Sequence, residues 1–174
     1  MAIVHPTTIK PTKQEILEQL FEAPVEVAGT YRFDDPAGEV GVEGLIVRVG
    51  DDLRHVVMTY RGAPLEGAEE HLLSTMEHGV LGKRWVYNGL GDPVALGCFD
   101  RALRGEQQQA ALEIYDGHTL IETRKPTATV RLVEGATGQG GVAIAGALSP
   151  DLFSDAARLV ATWDGGEAVV AALA

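Results

Sequence analysis

The sequence has one cysteine, few basic residues and no long apolar run. Cys98 cannot form an internal disulfide and has no thiolate or zinc motif around it, so we expect a buried thiol in a reducing compartment. Lys and Arg number 14 against 25 Asp and Glu, which gives a formal net charge of −11. That charge argues against binding to nucleic acid or to an anionic membrane surface, because both need clustered cations.

The distribution of apolar residues in the sequence also predicts no targeting segment and no membrane-spanning segment. A membrane span needs roughly 18 consecutive apolar residues, and no run approaches that length. The first residues, with Pro6 and Pro11, lack the apolar core of a signal peptide. We therefore expect a cytoplasmic protein with no membrane partner.

Complete catalytic and metal-binding motifs do not occur. The candidate metal ligands are histidines and carboxylates of the first half of the chain: His55, Glu70, His71, Glu77 and His78. Their spacing is not a recognised ligand pattern, and neighbours on a strand point to opposite faces, so ordinary surface or hydrogen-bonded histidines explain them better. Ser74 beside His71 or His78 is the one local nucleophile–base option, and it lacks a nucleophile elbow. We expect no catalytic residue, no metal and no cofactor.

The start of the chain predicts an edge strand followed by a short helix. Residues 2–9 alternate weakly between apolar and polar, and Pro6 suits an edge because it cannot donate to a ladder. Thr12 and Glu15 fit a capping box, in which each side chain satisfies a free backbone N–H at a helix start. The apolar residues that follow lie on one helical face, so the pattern predicts a helix over residues 13–21.

From residue 25 to residue 60 the apolar period changes to two, which predicts an antiparallel meander. The phase slips at Gly44, and a glycine at a phase slip indicates a β-bulge or a bent strand. Two further strands are predicted over residues 71–76 and 84–88. A second helix is predicted to begin with Asp92 as N-cap and Pro93 as first residue, and to close at Gly105.

Beyond a seam at Gln107, Gln108 and Gln109 the composition becomes mostly β. Asp116-Gly117 between apolar runs is a strong hairpin signal. The glycine-rich run 135–141 lacks the Gly-Lys-Ser/Thr ending and a following helix, so a hairpin loop explains it better than a phosphate-binding loop. The predicted elements are strands over 112–115, 119–123, 127–133 and 142–148, a short helix from Ser149 through Ala157, and a hairpin over 159–163 and 167–173.

The segment from residue 58 to residue 93 resembles the N-terminal cap of bacterial maltokinases, and more closely the stand-alone actinobacterial proteins related to it. The resemblance covers roughly the first 105 residues. It is carried by Thr59-Tyr60-Arg61, Pro64-Leu65, Trp85-Val86-Tyr87 and Asp92-Pro93, and by Gly67-Ala68-Glu69, His71 and Thr75-Met76-Glu77-His78. The runs Ile3-Val4-His5, Pro11-Thr12-Lys13, Phe33-Asp34-Asp35-Pro36 and Gly38-Glu39-Val40-Gly41 also fit.

The resemblance implies an α+β cap in which a curved antiparallel sheet packs against a helix, similar in outline to cystatins. In the kinases this cap precedes two lobes that bind ATP and the sugar. This sequence has no His-Gly-Asp catalytic loop and no Asp-Phe-Asp or Asp-Phe-Glu metal site. We therefore expect a cap-like domain over residues 1–105, without kinase activity, followed by a β-rich part of unknown type over residues 106–174.

Four residues inside the resembling stretch are candidates for a binding surface: Arg61, Arg84, Trp85 and Tyr87. Arginine and aromatic side chains are enriched at interaction hot spots and in sugar-facing clefts. The alternative is that the aromatic side chains belong to the core and that the arginines are solvated or paired.

Three functions remain open from the sequence. The first is a non-catalytic binding or regulatory module with a protein partner in maltose, trehalose or glycogen metabolism, a link that only the resemblance implies. The second is a small-molecule protein that holds a sugar or an apolar ligand on the concave face of the sheet. The third is an uncharacterised enzyme using His71 or His78. A homodimer through small-residue strand edges at 142–148 or 168–173 is a further expectation.

Overall fold

Three β-sheets and two α-helices make up the described part of this computed structural model. The structure describes residues 2–4, 8–116, 118–136, 140–149, 152–153 and 155–173. Strands take 51% of the residues, and the largest sheet curls into a half-barrel. The α+β class, the curved antiparallel sheet with a packed helix and the β-rich C-terminal part are confirmed.

The helices are α1, Lys13–Phe21, and α2, Pro93–Leu103. At nine and eleven residues, neither described helix is long enough to cross a membrane. The strands, in chain order, are β1 Ala2–Val4, β2 Ile9–Lys10, β3 Glu26–Asp34, β4 Gly41–Val49, β5 Asp52–Arg61, β6 Leu72–His78, β7 Gly82–Asn88, β8 Leu112–Asp116, β9 Thr119–Arg124, β10 Ala128–Val133, β11 Val142–Ile144, β12 Arg158–Trp163 and β13 Gly166–Leu173.

Both predicted helix starts are confirmed. Thr12 accepts a hydrogen bond from the Glu15 N–H, and the Glu15 carboxylate accepts one from the Thr12 N–H at 2.6 Å. Asp92 caps α2 by accepting from the Val94 N–H at 2.9 Å, with Pro93 as the first helical residue. These side chains satisfy backbone donors that a helix start leaves free, which is why local sequence is enough to predict them.

The six-stranded sheet runs in the order β2-β6-β7-β5-β4-β3, and all its pairs are antiparallel. One face packs under α1, which contributes Ile16 and Leu17 to a core of nine buried side chains. The other face forms a larger core with α2 and with the four-stranded sheet β10-β12-β13-β11. We call these the α1 face and the α2 face.

Strand β4 explains why the apolar phase slips without a bulge at Gly44. Val42 and Ile46 lie in the α2-face core, whereas Leu45 and Val47 lie in the α1-face core, so both parities are apolar. The register with β3 runs unshifted through Gly44, and its one shift lies further along the pair. The predicted bulge at Gly44 is therefore wrong. Glycine is needed there because a Cβ would lie 2.2 Å from the Tyr31 ring.

The predicted single edge strand over residues 2–9 is also wrong. Strand β1 pairs in parallel with β8 in a separate sheet of order β1-β8-β9, whereas β2 pairs with the end of β6. Pro6 lies outside the described residues. A run this short carries no information about which distant strand it joins, so the pattern could not separate the two pieces.

The C-terminal part follows the predicted hairpins but departs from two predictions. Strand β11 ends at Ile144, and the chain beyond it pairs instead with β5 through the bridge between Arg54 and Ala147. Of residues 149–157, those described form turns and a bridge between Ala136 and Ala156, so the predicted short helix is wrong. Residues 168–173 lie between β12 and β11 over part of their length, so this strand is not a free edge there.

The two predicted parts are joined by backbone and side-chain hydrogen bonds around the glutamine seam. Gln107 donates to the Asp34 carbonyl at 2.8 Å, and Ala110 N–H donates to the Arg32 carbonyl at 2.7 Å. The Gln109 side chain donates to the Ala128 carbonyl at 3.3 Å and accepts a hydrogen bond from the Val130 N–H. The α2-face core draws nine of its twenty buried residues from beyond residue 105. The division at residues 105 and 106 stays a prediction.

Candidate binding site

The four candidate residues are divided between the two faces of the six-stranded sheet. Arg61 lies opposite Trp85, and Thr59 lies opposite Tyr87, so these side chains share one face. Arg84 is adjacent to Trp85 along β7 and therefore points to the other face, with Val86 of the α1-face core. The structure thus brings together Arg61, Trp85 and Tyr87 and separates Arg84 from them.

Arg61 is held by a buried carboxylate. Its Nε and Nη2 atoms each donate to Asp92 at 2.7 Å, and the Thr59 hydroxyl donates to the same carboxylate at 2.6 Å. Burial would raise the pKa of Asp92, but the hydrogen bonds from Arg61, Thr59 and the Val94 N–H and the charge of Arg61 outweigh it and lower that pKa. Asp92 is fully buried and Arg61 largely so. The pair positions the start of α2 against β5 and leaves Arg61 little freedom to bind a ligand.

Tyr87 and Trp85 differ in exposure. Tyr87 is buried, and its hydroxyl accepts a hydrogen bond from the Leu65 N–H at 2.8 Å, which fixes the loop between β5 and β6. Trp85 is only half-buried, and the Lys83 ammonium lies 5.1 Å from the centre of its ring. A half-buried tryptophan with a cation over its ring is the kind of side chain that anchors an interface.

Arg84 is half-buried and has no ion-pair or hydrogen-bond partner among the described residues, and its Nε atom is shielded from solvent. Its Nη1 atom lies against the loop backbone, where a Cβ on Gly62 would approach to 2.7 Å. A buried N–H of a charged group without a partner costs free energy. Arg84 therefore contrasts with Arg61, whose Nε and Nη2 atoms both donate to Asp92.

The hairpin formed by β6, β7 and the turn between them, residues 72–88, carries three exposed large apolar side chains; we call it the outer hairpin. Leu72, Val80 and Leu81 are 40%, 59% and 45% exposed. Among the described strands, only β2 pairs with the outer edge of β6, at Glu77 and His78. Leu72 lies opposite Tyr87 at one end of the outer hairpin, Val80 and Leu81 lie in the turn at the other end, and Trp85 lies between them.

The histidines of the enzyme alternative have structural roles. His78 Nδ1 accepts hydrogen bonds from the Val80 and Leu81 N–H groups at 3.2 and 3.0 Å, which shapes the turn of the outer hairpin. The His71 ring packs on Gly91, where a Cβ would lie 2.0 Å away. Ser74 donates to the carbonyl of its neighbour, Thr75. Within the described ranges, no group of three or more His, Cys, Asp or Glu side chains is placed to hold a metal ion.

Two buried polar groups were not predicted from the sequence. On the α2 face, His55 Nδ1 donates to the Ala145 carbonyl at 2.9 Å, so Nε2 accepts from the Tyr31 hydroxyl at 2.8 Å. Burial lowers the pKa of His55 to about 4, against the opposing effect of the Ala145 hydrogen bond, and raises the pKa of Tyr31 well above its usual value. Nothing in the sequence links residues 24 and 90 positions apart, so only the tertiary structure shows this group.

The second buried polar group lies on the α1 face around Glu43. Its carboxylate accepts hydrogen bonds from Lys13 at 2.8 Å and from the Tyr60 hydroxyl at 2.6 Å, and it lies 3.3 Å from Arg32. Burial would raise the pKa of Glu43, but the charges of Arg32 and Lys13 and both hydrogen bonds outweigh it and lower that pKa. Arg32 and Glu43 lie opposite each other on β3 and β4, and their opposite charges are the feature from which the sequence could have predicted this group.

A cavity of about 300 Å³ lies at the edge of β5, between the end of β7 and the segment after β11. Phe21, Val57, Leu90 and Ile144 supply apolar walls, with His55 at one side. A second cavity, of about 450 Å³, lies along Gln107, Gln108 and Gln109. Both faces of the sheet itself carry packed cores, so a ligand would enter at the edge rather than on an open sheet face.

Residues 18–92 match the family model of the maltokinase N-terminal cap domain. The matched segment contains β3 to β7, all four candidate residues and Asp92. The predicted resemblance is confirmed, and the match supports a cap-domain-like protein. Searches of the curated proteins and of the solved structures found no match.

Proposed function

We propose that this cap-domain-like protein is a non-catalytic docking module that binds a protein partner through its outer hairpin. One observation carries the proposal: Leu72, Val80 and Leu81 are exposed on the same hairpin as the half-buried Trp85. Exposed apolar side chains on the same element as an aromatic anchor are typical of an interaction site.

The support behind this hairpin is rigid. The Arg61–Asp92 ion pair holds β5 to α2, and Tyr87 holds the loop that precedes β6. A surface presented on fixed strands loses little conformational entropy when a partner binds. We propose that Arg61 and Tyr87 position this surface, whereas Trp85 contacts the partner.

The proposed partner is an enzyme of maltose, trehalose or glycogen metabolism, and a maltokinase is the first to test. The similarity of residues 18–92 to a maltokinase cap supports this choice. The protein itself would have no kinase activity and would act in the cytoplasm. The contacting surface of the partner would be apolar, to match Leu72, Val80 and Leu81.

The test is a binding titration of the wild-type protein against purified maltokinase and a panel of glucan-pathway enzymes. Trp85→Ala and Leu81→Ser should each weaken binding by about tenfold or more, the loss expected at an interface anchor. Leu120→Ser on β9 is the matched control, since Leu120 and Leu81 are 47% and 45% exposed. Equal loss from the control, or wild-type affinity in both hairpin variants, would reject the outer hairpin as the docking element.

A small-molecule binding protein is the second candidate, and the cavity of about 300 Å³ beside His55 supports it. Its mixed lining suits a short apolar molecule with one polar end. A ligand that binds only the folded state raises the melting temperature. Thermal scans with maltose, trehalose and a medium-chain fatty acid test this candidate, and Ala147→Trp, at an exposed position of the cavity lining, should abolish any shift.

A further inference from the structure

The outer edge of strand β10 is only partly occupied. This strand lies at the end of the sheet β10-β12-β13-β11, and within the described ranges β12 is the strand that pairs with it. In an antiparallel pair, alternate residues direct their backbone N–H and C=O groups away from the partner strand. The hydrogen bonds of the Gln109 side chain identify these residues of β10 as Ala128, Val130 and Leu132.

The Gln109 amide occupies the first part of this edge as a peptide group would. Its nitrogen donates to the Ala128 carbonyl at 3.3 Å, and its oxygen accepts from the Val130 N–H. A primary amide carries the donor and the acceptor of a peptide bond, so Gln109 replaces one rung of a strand ladder. The next such pair of groups is the Val130 carbonyl and the Leu132 N–H, and neither forms a hydrogen bond with the described residues.

The cavity of about 450 Å³ lies along this open part of the edge. Its lining comes from residues 130–132 of β10, from the end of α2 with the glutamine seam, and from Phe33 and Leu159. The volume falls within the range of about 300–1,000 Å³ that is typical of ligand sites. Because the strand edge is polar and the side chains of Phe33 and Leu159 are apolar, the cavity suits a peptide backbone that carries an apolar side chain.

The features that usually protect a strand edge are not found on this strand. Proteins commonly block an edge with proline, lysine or a bulge. Strand β10 contains no proline and no lysine, and its six residues pair with β12 without a register shift. Its one charged side chain, Arg131, extends across β12 to the Glu167 carboxylate of β13 at 3.1 Å, away from the edge. The edge beyond Gln109 is therefore accessible to another strand.

We propose that the open edge of β10 is a peptide-binding site, at which an extended segment of a partner protein adds to the sheet as a further strand. The peptide backbone donates to the Val130 carbonyl and accepts from the Leu132 N–H, which continues the pairing that Gln109 begins. One apolar side chain of the peptide enters the cavity beside Phe33 and Leu159. The contact is short, so the affinity is in the micromolar range. The site belongs to another sheet than the outer hairpin, so either proposal can fail without the other.

The first experiment uses a phage-displayed library of random seven-residue peptides, selected on the immobilised full chain. A selected peptide is then synthesised in a series, each member with one backbone amide N-methylated. Methylation should weaken binding by about tenfold or more at alternate positions only, because only every second amide of an added strand faces β10. The protein is the same throughout the series, so a folding defect cannot produce this alternation.

The second experiment removes one backbone donor from the protein. Leu132→Pro lacks the N–H that the peptide needs, and proline is tolerated at an edge position whose N–H faces outward. Leu132→Ala is the matched control, because it loses the same side chain and keeps the N–H. Leu132→Pro should bind the selected peptide about tenfold more weakly than Leu132→Ala, and thermal unfolding checks that both variants fold.

Alternation along the methylated series and a difference between the two Leu132 variants support the proposal. A library without enriched peptides, methylation effects that do not alternate, or equal affinities of the two variants overturns it. Sedimentation equilibrium separates the remaining occupant of this edge. Self-association that Leu132→Pro abolishes, in the absence of peptide binding, would assign the edge to a second copy of the chain and reject the peptide site.

Discussion

The two faces of the six-stranded sheet are built differently. The α1 face buries nine side chains, all of them from residues before Tyr87, whereas the α2 face buries twenty, drawn from residues 31–103 and 128–173. On the α2 face, Arg61 forms an ion pair with Asp92. On the α1 face, Arg84 has no ion-pair or hydrogen-bond partner among the described residues. The α1-face core is built from residues 16–86, whereas the α2-face core joins distant parts of the chain, so we expect the α2 face to contribute more to stability.

The strongest test of this comparison removes the cover of the α2 face. A chain ending at residue 105 keeps α1 and the whole six-stranded sheet but loses β12 and β13, leaving Val42, Ile46 and Val57 partly uncovered. We expect loss of cooperative unfolding, because burying this apolar surface is the main stabilising contribution. Thermal unfolding followed by circular dichroism measures it. A sharp transition in the truncated chain would show that residues 1–105 fold alone, as the predicted domain division requires.

The two arginines give the next largest contrast. Arg61→Met leaves the buried Asp92 without its ion partner and should destabilise the protein by about 3 kcal/mol. Arg84→Met removes a half-buried group with no partner and should change stability by less than about 0.5 kcal/mol, or raise it. Urea unfolding of the two variants measures both values. Equal losses would mean that Arg84 has a stabilising contact, and the contrast between the faces would then disappear.

The pH dependence of stability tests the α2 face at His55. The folded pKa of about 4 lies below the ordinary value of 6.5, so between these values the unfolded chain binds the additional proton. Stability from this group is complete above pH 6.5 and is lost as pH falls towards 4, by about 3 kcal/mol in total. His55→Gln, which retains a donor and an acceptor, should show a flatter profile over this range. Parallel profiles for wild type and variant would contradict the assignment.

A small loss of stability is expected at the start of α1, which packs on the α1 face. Thr12→Ala removes the side-chain acceptor of the capping box at the start of α1 and should cost about 1 kcal/mol. Thr12→Ser is the control, because it keeps the hydroxyl and should stay near wild type. Urea unfolding of both variants measures the difference. A loss as large as that of Arg61→Met would show that α1 contributes more to the fold than its small core indicates.

The sequence identified the four candidate residues, but it did not predict how the fold arranges them. The four residues lie in the matched segment, and the alternation along β7 already separates Arg84 from Trp85. The sequence could not show that Asp92, visible only as a helix cap, also pairs with Arg61 across 31 positions. It also missed the exposure of Val80 and Leu81, because exposure depends on what packs nearby. Whether these residues bind a partner stays a prediction.

Local sequence alone determined both helices, the capping residues Thr12 and Asp92, most hairpins and the α+β class, because caps, turns and apolar periods act between residues close in the chain. Tertiary structure decided the rest. It separated β1 from β2, replaced the predicted bulge at Gly44 by contact with Tyr31, and joined residues 31–103 and 128–173 in one core. These features depend on pairing and packing between distant residues, and no short-range pattern in the sequence encodes such contacts.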